Sequence, residues 1–309
     1  MTRRWNFRNE ACDRRQLLKK DLYERVLEDA LLSMQEAHPL HSGFKVGCSI
    51  LNLSTMLLYR GSNDEYGGGY HVGSTNAVHA ESSALDSLRH ELRDTDAVIV
   101  ATIGDPSDVV TPCGHCLDVL RTYLPMDTEI LVANARGEAE VLTLAKLFPT
   151  DFTRMDYSDL SLDKILIRKA ADAVQRGLVL SDDLREGAAV RTARGNLYQG
   201  VRIDTASYYP TSAVASAIAV AVSAGDPDIE FIALANRTGE ISGFDRQRIF
   251  EMFGLLQKLQ TRRIFVSKIG EPDTVMVASP TEILPYGFGI ATLGLDEEMR
   301  SKLERTRVA

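Results

Sequence analysis

Cysteine is scarce in this chain: Cys12, Cys48, Cys113 and Cys116 are the only four in 309 residues. That is too few to staple a chain of this length. A disulfide scaffold is therefore excluded, and reduced thiols in the cytoplasm are expected. There is no run of eighteen apolar residues, so no segment reads as a membrane-spanning helix. The opening stretch MTRRWNFRNEACDRRQLLKK is basic but lacks the apolar core of a secretory signal, and export is not expected. Basic residues are outnumbered, 35 Lys and Arg against 43 Asp and Glu, for a net charge of −8. Proteins that bind nucleic acid take most of their affinity from phosphate contacts and show a basic face, so nucleic acid is an unfavoured partner. Seven Lys or Arg fall in the first twenty residues, and they read as an exposed helix start.

The hydrophobic content of 44% can build a core, and the length allows two domains of ordinary size. Residues 13–37 have a helical pattern. Leu18, Leu22, Val26, Leu27, Ala30, Leu31 and Met34 recur at three- and four-residue steps, Asp13 is placed to cap the start, and His38-Pro39 ends the run. Phe44, Val46, Cys48 and Ile50 alternate as in a half-buried strand, Asn52–Thr55 turns, and Met56–Tyr59 returns. A glycine-bearing loop over 63–78 is expected, then a helix over 78–93, a strand over 97–102, a helix over 113–123 and a strand over 129–132. Strands alternating with helices indicate an α/β layered domain, a mixed sheet flanked by helices.

The second half repeats this plan. LYRGSNDE at 58–65 resembles LYQGVRID at 197–204, and VHAESSAL at 78–85 resembles TSAVASAI at 211–218. TPCGHCLDVL at 111–120 aligns with EISGFDRQRI at 240–249, and LFPTDF at 147–152 with ILPYGF at 283–288. Such self-similarity indicates duplication of one folding unit. The expected layout is an N-terminal helical segment over 1–40, one domain over 41–150 and a second over 160–309, with the linker near 149–163.

Chemistry is concentrated in the first copy. His79 and Glu81 form a His-x-Glu pair, and Pro112, Cys113 and Cys116 form a Pro-Cys-x-x-Cys some thirty residues later. Zinc binds thiolate and imidazole tetrahedrally, and catalytic sites leave one corner for water. His79, Cys113 and Cys116 supply three ligands, and two thiolates with one neutral imidazole bring Zn²⁺ to net zero. Cys113 begins a helix, where backbone N–H groups favour thiolate. Glu81 is not needed as a ligand and is free to act on the water. A structural zinc would want a fourth protein ligand, and His115, inside the Cys-x-x-Cys loop, reads as a surface residue. The aligned positions in the second copy are Ser212, Val214, Ser242 and Asp245, so every group of the proposed site is lost together. The first copy reads as chemical and the second as structural.

His-x-Glu followed by Pro-Cys-x-x-Cys is the signature of zinc nucleobase deaminases. FKVG at 44–47, NDE at 63–65, HAE at 79–81 and PCGHC at 112–116 make the chain resemble the cytidine deaminase family, most closely its two-domain branch with a degenerate C-terminal copy. That resemblance implies tandem deaminase-like domains, one zinc ion per chain and a homodimer. It also implies hydrolytic deamination of cytidine or deoxycytidine to uridine or deoxyuridine in pyrimidine salvage. Asn63 and Glu65 would hold the ribose 3′-hydroxyl, which needs both a donor and an acceptor. Phe44 would lie by the base, and backbone groups at Ala80 and Thr111 would orient it. Glu81 would take a proton from water activated at the metal and relay it to ring N3 and then to the departing amine, while C4 is attacked.

Two features depart from the family pattern. Leu117-Asp118 follows the second cysteine where Arg-Gln is usual, while the second copy keeps Arg246-Gln247. The loop EYGGGYHVGSTNAV is longer than expected, made flexible by Gly67, Gly68 and Gly69, and carries His71. Both bear on substrate, so a modified aminopyrimidine nucleoside of antibiotic type is the alternative. A nucleic-acid editing deaminase is disfavoured by the acidic balance and by a clamp on the 3′-hydroxyl. A non-enzymatic zinc-stabilised protein is disfavoured by the presence of Glu81.

Overall fold

The alternating stretch after Phe44 folds as a strand that starts and ends later than its pattern indicates. In a computed structural model of the chain, it covers Val46–Asn52, and Phe44 lies in the irregular segment before it. The structure describes all residues except 1–4, 8–13, 41, 67–75, 92–97, 105–107, 161–162, 207–209, 258–262, 290–293 and 309. Asp13, Gly67, Gly68, Gly69 and His71 lie outside the described residues. The chain divides into two units, Met1–Phe148 and Pro149–Ala309.

The first unit contains β1 (Asn6–Phe7), α1 (Arg14–Gln35), β2 (His38–Pro39), β3 (Val46–Asn52), β4 (Leu58–Ser62), β5 (Asp64–Tyr66) and β6 (Asn76–Val78). There follow α2 (Ala80–Leu88), β7 (Val98–Gly104), α3 (Gly114–Tyr123), β8 (Glu129–Asn134), β9 (Glu138–Thr143) and the single turn α4 (Leu144–Leu147). Its main sheet has the order β1-β9-β8-β7-β3-β4. The central pair, β7 and β8, is parallel and is joined through α3, and every residue of β7 is buried, as expected of a strand covered on both faces. His38-Pro39 does more than end α1, because it pairs with Asp64 and Glu65. The expected loop over 63–78 is in part a ribbon, with β5 and β6 antiparallel. Met56 belongs to the turn, with φ 59°, rather than to the return strand.

Successive residues of a strand point to opposite faces. Gly47 abuts the backbone of α1 at Ala30 and Met34, while Gly61, paired with Cys48, abuts α2 at Ala80 and Ala84. The helices α1 and α2 therefore cover opposite faces of the sheet. On the α1 face, Val26, Leu27, Ala30 and Met34 pack with Leu51, Ile99, Ala101, Ile103 and Leu131.

The second unit contains β10 (Arg154–Asp156), α5 (Lys164–Val174), β11 (Glu186–Thr192), β12 (Leu197–Val201), α6 (Ala213–Ser223), β13 (Ile229–Asn236), α7 (Gly243–Leu255), β14 (Arg263–Lys268), β15 (Glu271–Ala278), α8 (Pro280–Ile283) and α9 (Asp296–Val308). Its sheet order is β10-β15-β14-β13-β11-β12. Strand for strand this is the first sheet again, with the parallel pair β13/β14 at the same place. The sheets differ at one edge: β1 runs parallel to β9, whereas β10 runs antiparallel to β15. Gly187 abuts α5 at Ala170 and Val174, and Gly200 abuts α6 at Ala213 and Ala217. The duplication inferred from sequence is thus a duplication of architecture, two α/β/α layers built alike.

These close approaches give a stability prediction. A methyl group at Gly61 would collide with the Ala80 carbonyl and the Ala84 amide, which are backbone atoms that cannot rotate away. Gly61→Ala should lower stability by at least about 1–3 kcal/mol and displace the start of α2, reducing bound zinc. Gly200→Ala meets the same obstacle in the second unit and should destabilise with one zinc per chain retained. Thermal melts with metal analysis check both.

Candidate metal centre

The helices α2 and α3 pack together and begin near one point. His79 is the N-cap of α2 (φ −85°, ψ 148°) and Cys113 the N-cap of α3 (φ −68°, ψ 164°), and neither side chain caps its own helix. Cys116 lies one turn into α3 and is buried. His79 Nδ1 stands 3.4 Å from Cys113 Sγ and 3.3 Å from Cys116 Sγ, and the three donor atoms all lie within 4.8 Å of one another. A tetrahedral zinc with ordinary bond lengths separates sulfur from nitrogen ligands by roughly 3.6 Å. The donor set, its spacing and its charge fit one zinc ion held by His79, Cys113 and Cys116.

Glu81 is 4% exposed in the first turn of α2. Burial, and then the negative charge on Cys113, push its carboxyl above the usual range. In the metal-free chain, the hydrogen bond to Cys113 lifts the His79 imidazole to about 9 against the opposing effect of burial. The Cys113 thiol is held well below its ordinary value, first by hydrogen bonding with Cys116, while burial drives Cys116 the other way. His115, expected at the surface, is half-buried with its ring edge-on to His79 at 5.9 Å. Burial lowers its basicity.

The remaining residues singled out by sequence form a second group. Asn63 and Glu65 are half-buried, and both are engaged with the segment before β3. The Val46 N–H donates to Asn63 Oδ1 at 2.8 Å, and Asn63 Nδ2 donates to the Phe44 carbonyl at 2.8 Å. The Ser42 N–H donates to Glu65 Oε2 at 2.8 Å, and the Ser42 hydroxyl donates to the other carboxylate oxygen. The charge on Glu65 also acts on His79, which links this group to the metal cluster. Ala80 is fully buried at the start of α2, and Thr111 is half-buried two residues before Cys113.

Periodicity did not reveal what lies beneath Glu81. Cys48 and Thr102 are fully buried cross-strand partners, and Cys48 feels the charge of Glu81. Thr102 Oγ1 is buried without a hydrogen-bond partner of good geometry. The same row in the second unit is Ala188 paired with Leu234. The signal was present in the repeat: where Glu81 becomes Val214, the polar floor becomes apolar.

The second unit shows what happens to this geometry without ligands. Ser212 and Ser242 take the N-cap positions of α6 and α7 and cap them, accepting from Ala215 N and Asp245 N. Asp245, in place of Cys116, accepts hydrogen bonds from both hydroxyls, at 2.6 and 3.0 Å. Glu186, buried nearby, accepts from the Ala213 N–H at 3.0 Å. Burial and the neighbouring Asp245 raise its carboxyl to about 7. Arg246 is 2% exposed and donates to the carbonyls of Ile241, Pro149 and Ile283. Its role is to satisfy chain carbonyls. In the first unit Leu117 fills the equivalent place with apolar bulk, and Asp118 pairs with Arg121 at 2.6 Å.

Two outcomes are expected. Cys113→Ser should abolish stoichiometric zinc, yet its metal-free form should be more stable than the metal-free parent by about 0.5–2 kcal/mol, because serine caps α3. Metal analysis and melts in chelator measure this. Glu186 keeps its proton in the fold between about pH 4.5, its value when unfolded, and about 7. The native state binds more protons there, so its contribution to stability falls as pH rises through that window. Glu186→Gln should therefore stabilise the chain at pH 8 relative to pH 5, by on the order of 2–3 kcal/mol; an equal effect at both pH values would count against this.

The family described as "Cytidine and deoxycytidylate deaminase zinc-binding region" matches residues 20–130. A cytidine deaminase of Halalkalibacterium halodurans is 31% identical over 136 residues, 44% of this chain and 98% of that protein. A cytidine deaminase of Proteus mirabilis is 27% identical over 195 residues, 59% of this chain and 62% of that protein. The solved cytidine deaminase of Burkholderia pseudomallei is 24% identical, covering 42% of this chain and 98% of that one with a TM-score of 0.37. With a zinc donor set at the starts of two helices, inside the matched residues 20–130, and a relative 31% identical over 98% of its length, the chain belongs to the cytidine deaminase family.

Proposed function

We propose that the chain hydrolyses cytidine and deoxycytidine to uridine and deoxyuridine, releasing ammonia, and that it serves pyrimidine salvage in the cytoplasm. The observation that carries this reading is the convergence of His79, Cys113 and Cys116 beside the buried carboxylate of Glu81. When bound, zinc supplies the Lewis acidity that makes water a competent nucleophile near neutral pH. Glu81 accepts the proton that water gives up as the C4–O bond forms. It delivers that proton to ring N3 and then serves the exocyclic amine, which leaves as ammonia when the C4–N bond breaks. Burial keeps bulk water from competing for the proton. Phe44 lies by the base, and the Ala80 and Thr111 backbones orient it.

Asn63 and Glu65 take the ribose 3′-hydroxyl. Each Asn63 amide atom has one bond to the backbone and capacity for one more, so the side chain can be positioned by the protein and still meet a ligand. A gripped 3′-hydroxyl leaves no room for a continuing strand, which favours a free nucleoside over a polymer. In this reading the catalytic domain spans 41–150, the domain over 160–309 is a degenerate copy, and two chains form a homodimer. Among the described residues no helix is long and apolar enough to cross a membrane.

Ammonia release from cytidine, deoxycytidine, a modified aminopyrimidine nucleoside and single-stranded DNA tests the reading, with light scattering for the dimer. Cytidine turnover is expected, and Glu81→Gln should lower it by about a thousandfold or more with zinc retained. Turnover persisting in that variant, or activity confined to DNA, would overturn it.

A further inference from the structure

Ser42 was not among the residues that sequence pattern singled out. It is exposed, lies outside any helix or strand, and precedes the Phe44 segment. Yet it makes three hydrogen bonds that converge on the sugar side of the site. Its N–H and its hydroxyl grip the two oxygens of Glu65, one each. Its hydroxyl oxygen accepts from the Phe44 N–H at 3.1 Å. Two donors on one carboxylate fix both its position and its plane, and bonds to a charged acceptor are among the stronger ones a protein makes. The same residue ties that carboxylate to the backbone of Phe44. Asn63 then ties Phe44 and Val46 to the strand carrying Glu65. The base side and the sugar side of the pocket are thus stitched through one hydroxyl.

The second unit lacks the hydroxyl half of this clasp. Counting back from Gly47 and Gly187, which lie against the flanking helix alike, the place of Ser42 is held by Asp182. Asp204 stands where Glu65 does. Two carboxylates cannot hydrogen-bond when ionised. Asp182 pairs instead with Arg185, and Asp204 with Arg202, each at 2.7 Å, while the Leu180 N–H donates to Asp204 at 3.1 Å, so a backbone donor on the acid remains and a side-chain hydroxyl does not. The acid at the sugar position was kept, and the hydroxyl that would aim it was not.

We propose that Ser42 is a positioning residue for nucleoside recognition: it aims the Glu65 carboxylate at the 3′-hydroxyl and holds Phe44 in register with it. This rests on the proposed nucleoside deamination, and on Glu65 contacting the sugar. Ser42 touches neither zinc nor the reacting carbon, so its effect falls on binding and not on chemistry.

The test compares the zinc-loaded parent chain, Ser42→Ala and Ser42→Thr. It measures kcat and KM for cytidine, and the competitive inhibition constant of 3′-deoxycytidine. Ser42→Ala should raise KM for cytidine about tenfold, with kcat within about twofold of the parent. The inhibition constant of 3′-deoxycytidine, which has no hydroxyl for Glu65 to meet, should move by less than about twofold. Ser42→Thr keeps the hydroxyl and should stay within about threefold of the parent for both. In a Glu65→Ala background, adding Ser42→Ala should change KM by less than about twofold, since the two act as a unit. Equal weakening of cytidine and 3′-deoxycytidine, a fall in kcat alone, or additivity in the double variant would overturn the assignment, as would a parent-like Ser42→Ala. A parent chain that does not turn over cytidine removes the proposed function itself, and this proposal with it. Zinc content and melting temperature identify a Ser42→Ala chain that fails to fold, and the Ser42→Thr and Glu65→Ala measurements then decide.

Discussion

The structure depends on two helix beginnings that converge on one point. A helix start leaves backbone N–H groups unpaired and carries partial positive charge, so it favours an anionic or electron-rich group in front of it. In the first unit the residues at the two caps are His79 and Cys113, which do not cap. They turn donor atoms toward each other, and Cys116 completes the set one turn later. In the second unit the same backbone carries Ser212 and Ser242, which cap their helices and bond to Asp245. The comparison separates the two demands on one geometry. Metal ligands at cap positions give up local stability for a binding site, and serines at those positions recover it.

The sheets determine whether the caps can converge at all. Gly61 and Gly200 let α2 and α6 rest directly on strand backbone, and Gly47 and Gly187 do the same for α1 and α5 on the opposite face. That closeness keeps the first turn of α2, with Glu81, pressed against the row formed by Cys48 and Thr102. Burial then strips solvent from the carboxyl and makes protonation cheaper than it is in water. Where the acid has become Val214, the row beneath it is Ala188 and Leu234.

The group around Asn63 and Glu65 works differently. Its carboxylate and amide are half-buried, and they are ordered by hydrogen bonds with the irregular segment 42–45 and the first residue of β3. The metal cluster is held by packing against a sheet, the Asn63 and Glu65 group by a lattice of polar contacts. The arginine kept in the second unit belongs to a third kind of restraint. Arg246 satisfies three carbonyls of its own unit, a task that Leu117 does not have to perform in the first.

By itself the sequence determined the duplicated α/β plan, the zinc donors and the acid beside them. Each of these is written in local spacing: apolar periodicity, His-x-Glu, Cys-x-x-Cys, and their joint loss in the repeat. Element ends were less legible. Phe44 alternates with Val46 and Cys48 but precedes the strand, because its own N–H donates to the Ser42 hydroxyl and its carbonyl accepts from Asn63 instead of joining a ladder. His38-Pro39 looks like a helix stop and is also a short strand, because Asp64-Glu65 lies alongside. His115 reads as a surface residue from its place in the loop, yet it packs on His79, because α3 begins beside α2. Only the tertiary structure decided which side chains sit under Glu81 and which hydroxyl grips Glu65. Cys48 and Thr102 are 54 residues apart and Ser42 and Glu65 are 23 apart. Strand register and chain crossing bring such residues together, and no periodicity along one segment encodes the partner on another.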